Sequence, residues 1–247
     1  MTIKLQHGIK LWWLMLLMFC HSAFAFHAQV NNFDKQLSRL ELGPNLYFQQ
    51  THKALPLEEL IFDPERHHAF RLVAEYKKSL QSADQSLWLF TRLHYTGQTP
   101  IQTLVHYDFP LADVVQVYSY NRAKNDLQLL SSTGASVPFY QRALAYRSFA
   151  FPVNFEPGQE LDLFIKIQDG AIAPVELTLW QHNNFVLDQL YKNILDGLLC
   201  GVLLLMAIYN LFLYFSLQQK LYLYYSGFFI NCALVLAILN GLAFAML

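Results

Sequence analysis

The last fifth of the chain is the feature that most limits what it can fold into. Residues 194–247 are almost entirely apolar, and Gln218, Gln219 and Lys220 divide them into two runs of more than 20 residues. About 20 consecutive apolar residues are long enough to cross the hydrocarbon core of a bilayer as a helix. We therefore predict transmembrane helices at residues 194–217 and 221–247.

The second of these runs continues to the final residue, Leu247, and no polar segment follows it. A helix that leaves the bilayer normally ends in polar or aromatic residues at the interface. We therefore expect the sequence to be the front part of a longer protein, truncated within its membrane region.

The N-terminus has the organisation of a secretory signal. Lys4 and Lys10 supply positive charge, an apolar run follows at residues 11–20, and Ala23 and Ala25 form the Ala-x-Ala pattern that signal peptidase accepts. We predict a signal peptide at residues 1–25 and export of the segment that follows. Lipid attachment at Cys20 is disfavoured because the bulky Phe19 precedes it.

Charge and cysteine content exclude several classes of protein. The formal net charge is -1, which gives no basic face for nucleic acid. No cysteine lies in residues 31–185, so we expect an exported domain without disulfides. The sequence has no recognisable catalytic, cofactor-binding or zinc motif, and we predict neither a cofactor nor a metal site. We also predict no enzymatic activity for these residues.

Residues 31–185 predict an exported domain that is mainly β. Short alternating runs are separated by turn residues such as Pro157-Gly158, a pattern typical of an antiparallel β-sandwich. Helix-like patterns occur only at residues 34–39 and at a turn, 57–60. The predicted strands are 45–50, 69–74, 86–95, 102–108, 114–120, 127–130, 147–153, 160–168 and 175–179.

Alternation also sorts the residues of each strand by face. The leucine and isoleucine rows, such as Leu161, Leu163 and Ile165, predict the core side. The opposite side mixes aromatic rings with cations, which suits stacking on a sugar ring or binding a small anionic or amide ligand. The alternative is an ordinary outer sheet surface, since aromatic residues favour strands in general. The candidate ligand-binding residues are Trp88, Phe90, Arg92, Tyr118, Tyr120, Phe164, Lys166 and Trp180.

Export of the N-terminal domain fixes the direction of the membrane helices. The first helix runs inward, residues 218–220 face the cytoplasm, and the second helix returns outward. Lys220 agrees with the excess of positive charge in cytoplasmic loops. Asp196 lies near the outer end of the first helix, and Asn210 is deep enough that we expect it to hydrogen-bond between helices. The domain is therefore predicted to lie outside the cytoplasm.

Several motifs resemble one family. They are residues 201–214 (GVLLLMAIYNLFLY), residues 220–225 (KLYLYY) and Asn240-Gly241 in the membrane part, with Leu46-Tyr47, residues 88–93 and residues 142–152 in the domain. Together they are similar to bacterial seven-transmembrane receptors with diverse intracellular signalling modules. The exported part resembles the type 2 extracellular sensory domain, a jelly-roll-like β-sandwich akin to carbohydrate-binding modules.

The resemblance implies a receptor that binds an external small molecule and passes the signal to a cytoplasmic output module. In the family that module is commonly a diguanylate cyclase or a histidine kinase, and none is present in these residues. The implied partners are a small ligand such as a carbohydrate and the lipid bilayer. The implied location is a bacterial inner membrane, with the domain in the periplasm. Oligomeric state stays open, a homodimer included. The alternatives are the front of a signalling enzyme and a membrane-anchored scaffold.

Overall fold

The computed structural model of the chain describes residues 28–52, 55–62, 69–75, 85–135, 137, 144, 146–168 and 175–240. The predicted signal peptide, 1–25, and the last part of the second predicted helix, 241–247, lie outside the described residues. The strands are β1 Val30–Phe33, β2 Arg39–Glu41, β3 Tyr47–His52, β4 Arg71–Leu72, β5 Gln85–Tyr95, β6 Ile101–Tyr107, β7 Val114–Asn121, β8 Asp126–Thr133, β9 Phe149–Phe155, β10 Glu160–Gln168 and β11 Leu177–Gln181.

The described strands form two facing sheets. The larger has seven strands in the order β4-β3-β5-β10-β7-β8, with β1 paired to β5, and the smaller has four in the order β2-β11-β6-β9. All of these pairs are antiparallel except β1 with β5. The mainly antiparallel β-sandwich predicted from the alternating runs is therefore confirmed.

The core lies between the sheets and is built from the aliphatic rows. On β10, Leu163, Ile165 and Ile167 are completely buried, and on β5 the same is true of Leu87 and Leu89. They pack against aromatic residues of the facing sheet, such as those of β9. Burial of each large apolar side chain contributes about 1.5–3 kcal/mol relative to its exposed form. Alternation thus correctly predicted the core-facing side of β5, β7, β10 and β11, the four strands on which it sorted residues by face.

Two local predictions were wrong. Residues 34–39 do not form a helix: Asp34 accepts a hydrogen bond from the Gln36 backbone through its side chain, and Arg39 already begins β2. The predicted strand 69–74 is reduced to Arg71–Leu72, after which Val73–Glu75 forms a 3-10 turn. Strands β1 and β2 were missed because three or four residues offer too few alternations to define a period.

Three α-helices complete the described part of the chain: α1 Leu57–Phe62, α2 His182–Leu217 and α3 Lys220–Leu239. Helix α1 confirms the turn predicted at 57–60. Helix α2 follows β11 directly and begins 12 residues before the predicted start at residue 194. The difference arises because the first three turns of α2 are amphipathic and pack on the sandwich, so an unbroken apolar run does not detect them.

Helices α2 and α3 are long and apolar enough to cross a membrane. At 1.5 Å per residue, α2 is about 54 Å long, which exceeds the ~30 Å hydrocarbon core and leaves its first turns outside the bilayer. Gln218 caps the end of the helix, and its backbone is left-handed with a φ of 55°. Asn210 donates to the Met206 carbonyl of its own helix over 2.7 Å, so the interhelical bond expected of it is not the one observed.

Candidate ligand site and its junction with the membrane helices

Strand order gathers most of the predicted ligand-binding residues on one surface. Strand β10 lies between β5 and β7, and the register sets Lys166 opposite Trp88 and Phe164 opposite both Phe90 and Tyr118. We call this side of the seven-stranded sheet the outer face. The predicted residues that share it are Trp88, Phe90, Arg92, Tyr118, Tyr120, Phe164 and Lys166.

Trp180 is separated from the others, because it lies on β11 in the four-stranded sheet. The guanidinium of Arg39 lies 5.2 Å from the centre of its ring, and the ring of Phe185 is 6.1 Å away. The indole nitrogen donates to Thr178 over 2.8 Å. Trp180 therefore anchors the start of α2 on the opposite side of the sandwich from the outer face.

Helix α1 covers the centre of the outer face. Leu57 and Leu60 pack with Phe70 on Phe90 and Phe164, whose rings lie 4.9 Å apart and are completely buried. These rings form a second, smaller core in this structure. The i, i+3 spacing of the two leucines places them on one face of α1, but it does not show which surface that face covers.

The end of the outer face at Trp88 combines aromatic and cationic groups. The ammonium of Lys166 lies 5.3 Å from the centre of the Trp88 ring, a cation–π geometry, and the Tyr118 ring is 6.0 Å away. The Tyr118 hydroxyl donates to Gln116 over 3.2 Å. Burial, with a further contribution from Glu58, raises the pKa of the Tyr118 phenol.

Two buried polar atoms at this end lack hydrogen-bond partners among the described residues. They are the indole N–H of Trp88, which can only donate, and Oε1 of Gln49, which can only accept. The two residues are direct neighbours across β3 and β5. A buried polar group without a partner costs about 1–3 kcal/mol, so the pair needs a physical reason. Sequence reasoning missed Gln49, since nothing local connects β3 with β5.

The other end of the outer face is ionic. Asp162 is 1% exposed and accepts from Arg92 on both oxygens, over 2.7 and 3.2 Å. The Nε of Arg122 donates to the same carboxylate over 2.6 Å, and Glu160 lies 3.3 Å from Arg92. Arg92, predicted to bind ligand, is thus held in a buried ion pair.

Helix α2 is fastened to the sandwich along one face of its first four turns. Phe185 is completely buried against Leu104, Ala150 and Trp180. Two and three turns further on, Lys192 lies 3.3 Å from Asp108, and Asp196 pairs with Arg147 over 2.5 Å. We call this contact the junction. Contacts at residues 185, 192 and 196 lie along one continuous helix that starts directly after β11. The sandwich is therefore joined to α2 without a flexible linker.

His106 lies beneath the junction. It is 3% exposed, its Nε2 is 2.8 Å from Ser148 Oγ, and its ring is 5.0 Å from that of Phe185. Burial lowers its pKa to about 4, and the attraction of Asp108 only partly offsets that effect. His106 is therefore neutral at neutral pH and contributes to packing without adding charge.

This burial predicts that acid weakens the fold. The ordinary pKa of histidine is about 6.5, so the unfolded chain takes up a proton below that pH while folded His106 resists protonation until about pH 4. The free energy of unfolding should fall by roughly 3 kcal/mol across that interval. Thermal unfolding of wild type and His106→Gln between these pH values measures the difference, with His94→Gln on the outer face as control. Parallel pH profiles for wild type and His106→Gln would contradict it.

A β-sandwich joined without a spacer to two helices able to span a membrane defines a membrane-anchored protein with a folded domain outside the bilayer. The family model described as 7TMR-DISM extracellular 2 matches residues 46–181, more than half of the chain. A second model, 7TM diverse intracellular signalling, matches residues 192–247. The chain belongs to the 7TMR-DISM receptors and contains an extracellular sensory domain with the first part of the transmembrane region. Both models describe sensory or membrane domains and not catalytic ones.

No curated protein matches the chain. Similar solved structures include a Bacillus thuringiensis Cry1Da tryptic core variant, with 10% identity over 62% of this chain and a TM-score of 0.29. Another is the Clostridium thermocellum xylanase 10B CBM22-1-GH10 modules complexed with xylohexaose, with 7% identity over 57% of this chain and a TM-score of 0.21. The chain spans 24% and 26% of the length of those two structures.

Proposed function

We propose that the chain is the ligand-sensing front of a bacterial inner-membrane receptor, with its sandwich in the periplasm. The proposed ligand is a small hydroxyl-bearing molecule such as a carbohydrate, bound at the Trp88 end of the outer face. The observation that carries the proposal is the adjacent pair of unpaired buried polar atoms, the Trp88 N–H and Gln49 Oε1. Enzymatic output would come from a cytoplasmic module, a diguanylate cyclase or a histidine kinase, outside these residues.

A hydroxyl group matches this pair chemically. A single hydroxyl accepts from one neighbour and donates to another, so it could satisfy the Trp88 N–H and Gln49 Oε1 together. The rings of Trp88 and Tyr118 offer apolar faces for the C–H side of a sugar. Lys166 supplies a further donor beside them. A sugar ring carries both hydroxyl groups and C–H groups, so one ring can meet the polar pair and the aromatic faces together.

Because both polar atoms are buried, the ligand must displace what covers them. Leu57 and Leu60 of α1 pack in the same cluster as Trp88, and α1 is only six residues long. A short helix is marginally stable without its packing, which makes it the element most easily shifted. A ligand that prefers the shifted arrangement moves the population toward it, and the junction carries that change of the sandwich into α2.

Gln49→Leu tests the site with opposite effects on stability and binding. Removing the unpaired buried Oε1 should raise the melting temperature of the ligand-free chain, since a group that costs about 1–3 kcal/mol disappears. The same change removes an acceptor and should weaken ligand binding about tenfold. Both are measured on the chain in lipid nanodiscs, by thermal unfolding and by calorimetry against a panel of neutral mono- and oligosaccharides.

The matched control is Gln102→Leu. Gln102 lies exposed on β6 in the four-stranded sheet and bonds to Asn154, so its replacement should leave saccharide binding unchanged. The proposed site fails if no saccharide raises the melting temperature of wild type. It also fails if Gln49→Leu and wild type bind the same saccharide equally well.

A further inference from the structure

A cleft opens at the end of the sandwich opposite the junction. Strand β9 begins just after Arg147, which pairs with Asp196 in the junction, and it ends beside the cleft. The length of the strand therefore separates the junction from the cleft by about 20 Å. The cleft lies between the β7–β8 turn and the β9–β10 turn. Its volume of about 380 Å³ falls within the range of small-molecule sites.

The two walls of the cleft carry opposite charges. Arg122 and Lys124 line the wall from the β7–β8 turn, and Glu156 and Glu160 line the wall from the β9–β10 turn. In the part of the chain that the structure describes, no ion pair joins one wall to the other: Arg122 pairs with Asp162, and Glu160 with Arg92. Among the described residues, two cations and two carboxylates therefore line one cleft without a direct ion pair between them.

The guanidinium of Arg122 is fixed in position by Asp162 and keeps donors that could bind an anion. Its Nε donates to Asp162, and Arg92 fixes that buried carboxylate from the other side. This single bond uses one donor of the guanidinium, and no described residue bonds to the two terminal nitrogens. The Arg122 side chain is 47% exposed. The N–H groups of these two terminal nitrogens match the two oxygens of a carboxylate.

We propose that this cleft binds a small zwitterion that carries a carboxylate and an ammonium group, the chemistry of a free α-amino acid. The carboxylate pairs with the terminal nitrogens of Arg122, with Lys124 nearby, and the ammonium pairs with Glu156 and Glu160. A ligand with both charges joins the two walls without adding net charge to the cleft. This site is separate from the Trp88 end of the outer face and does not depend on the function proposed there.

Calorimetry with the full chain in nanodiscs tests the proposal, using the common L-α-amino acids as probes. At least one should bind, and its C-terminal amide and its N-acetyl derivative, which each lack one charge, should bind at least about tenfold more weakly. Arg122→Gln and Glu156→Gln should each weaken binding of the free amino acid to a similar degree. Glu156 is exposed, so its replacement leaves the fold intact even where Arg122→Gln disturbs Asp162.

Arg39→Gln is the matched control, because Arg39 is a half-exposed arginine that pairs with Glu41 in the four-stranded sheet. It should bind the amino acid as wild type does. The proposal is overturned if no amino acid binds wild type at millimolar concentration. It is equally overturned if Glu156→Gln binds as wild type, or if the amide and N-acetyl derivatives bind as tightly as the free amino acid.

Discussion

Asp162→Asn should lower the free energy of unfolding of the sandwich by about 3–5 kcal/mol, because removing one partner of a buried ion pair leaves the other charge uncompensated. The Arg92 side chain is 9% exposed and the Asp162 side chain 1%. An asparagine keeps the shape of the side chain but not its charge, so Arg92 would lose its main counter-ion within the sheet. Glu160, 43% exposed and 3.3 Å away, is too well solvated to replace it.

Unfolding is followed by the combined fluorescence of Trp88 and Trp180, one of which lies in each sheet. Glu41→Gln is the matched control, since the Arg39–Glu41 pair has the same chemistry but exposures of 49% and 71%. Its loss should change stability by about 0–1 kcal/mol. Equal effects of Asp162→Asn and Glu41→Gln would mean that burial does not strengthen the Arg92 pair.

The buried ion pair also shows how far the sequence predicts the site. Alternation along β5 and β10 correctly put Arg92 and Phe164 on the side away from the aliphatic rows. It could not show that Asp162 lies opposite Arg92, because their strands are 70 residues apart. Pairing over such distances depends on sheet order, which a local pattern does not contain.

Covering elements are the second limit. The pattern of β5 predicts two faces but not what lies on each, and α1 buries one of them with Leu57 and Leu60. The first turns of α2 cover the outer side of the four-stranded sheet in the same way, around Trp180. Short amphipathic helices give weak periodic signals, so their docking partners become visible only in three dimensions.

Phe185→Ala should detach the start of α2 from the sandwich. Phe185 is completely buried, and its ring lies 5.0 Å from those of both His106 and Tyr146. Truncating a buried phenylalanine costs about 3–5 kcal/mol. The Lys192–Asp108 pair is 41% and 54% exposed, and such pairs contribute only about 0–1 kcal/mol. The less exposed Arg147–Asp196 pair lies three turns further along the helix, so it does not replace the packing of residues 182–192 on the sandwich.

The loss should be local because Phe185 packs on the outer side of the four-stranded sheet and not in the core between the sheets. Hydrogen exchange of the chain in nanodiscs should show faster exchange at residues 182–192, while β5 and β10 keep their protection. Leu187→Ala, at a helix position that is 53% exposed, serves as control and should leave exchange unchanged. If residues 182–192 stay protected without the Phe185 ring, the helix is held by its polar contacts instead. A junction anchored by one aromatic ring would then no longer support the proposed transfer of a change in the sandwich to α2.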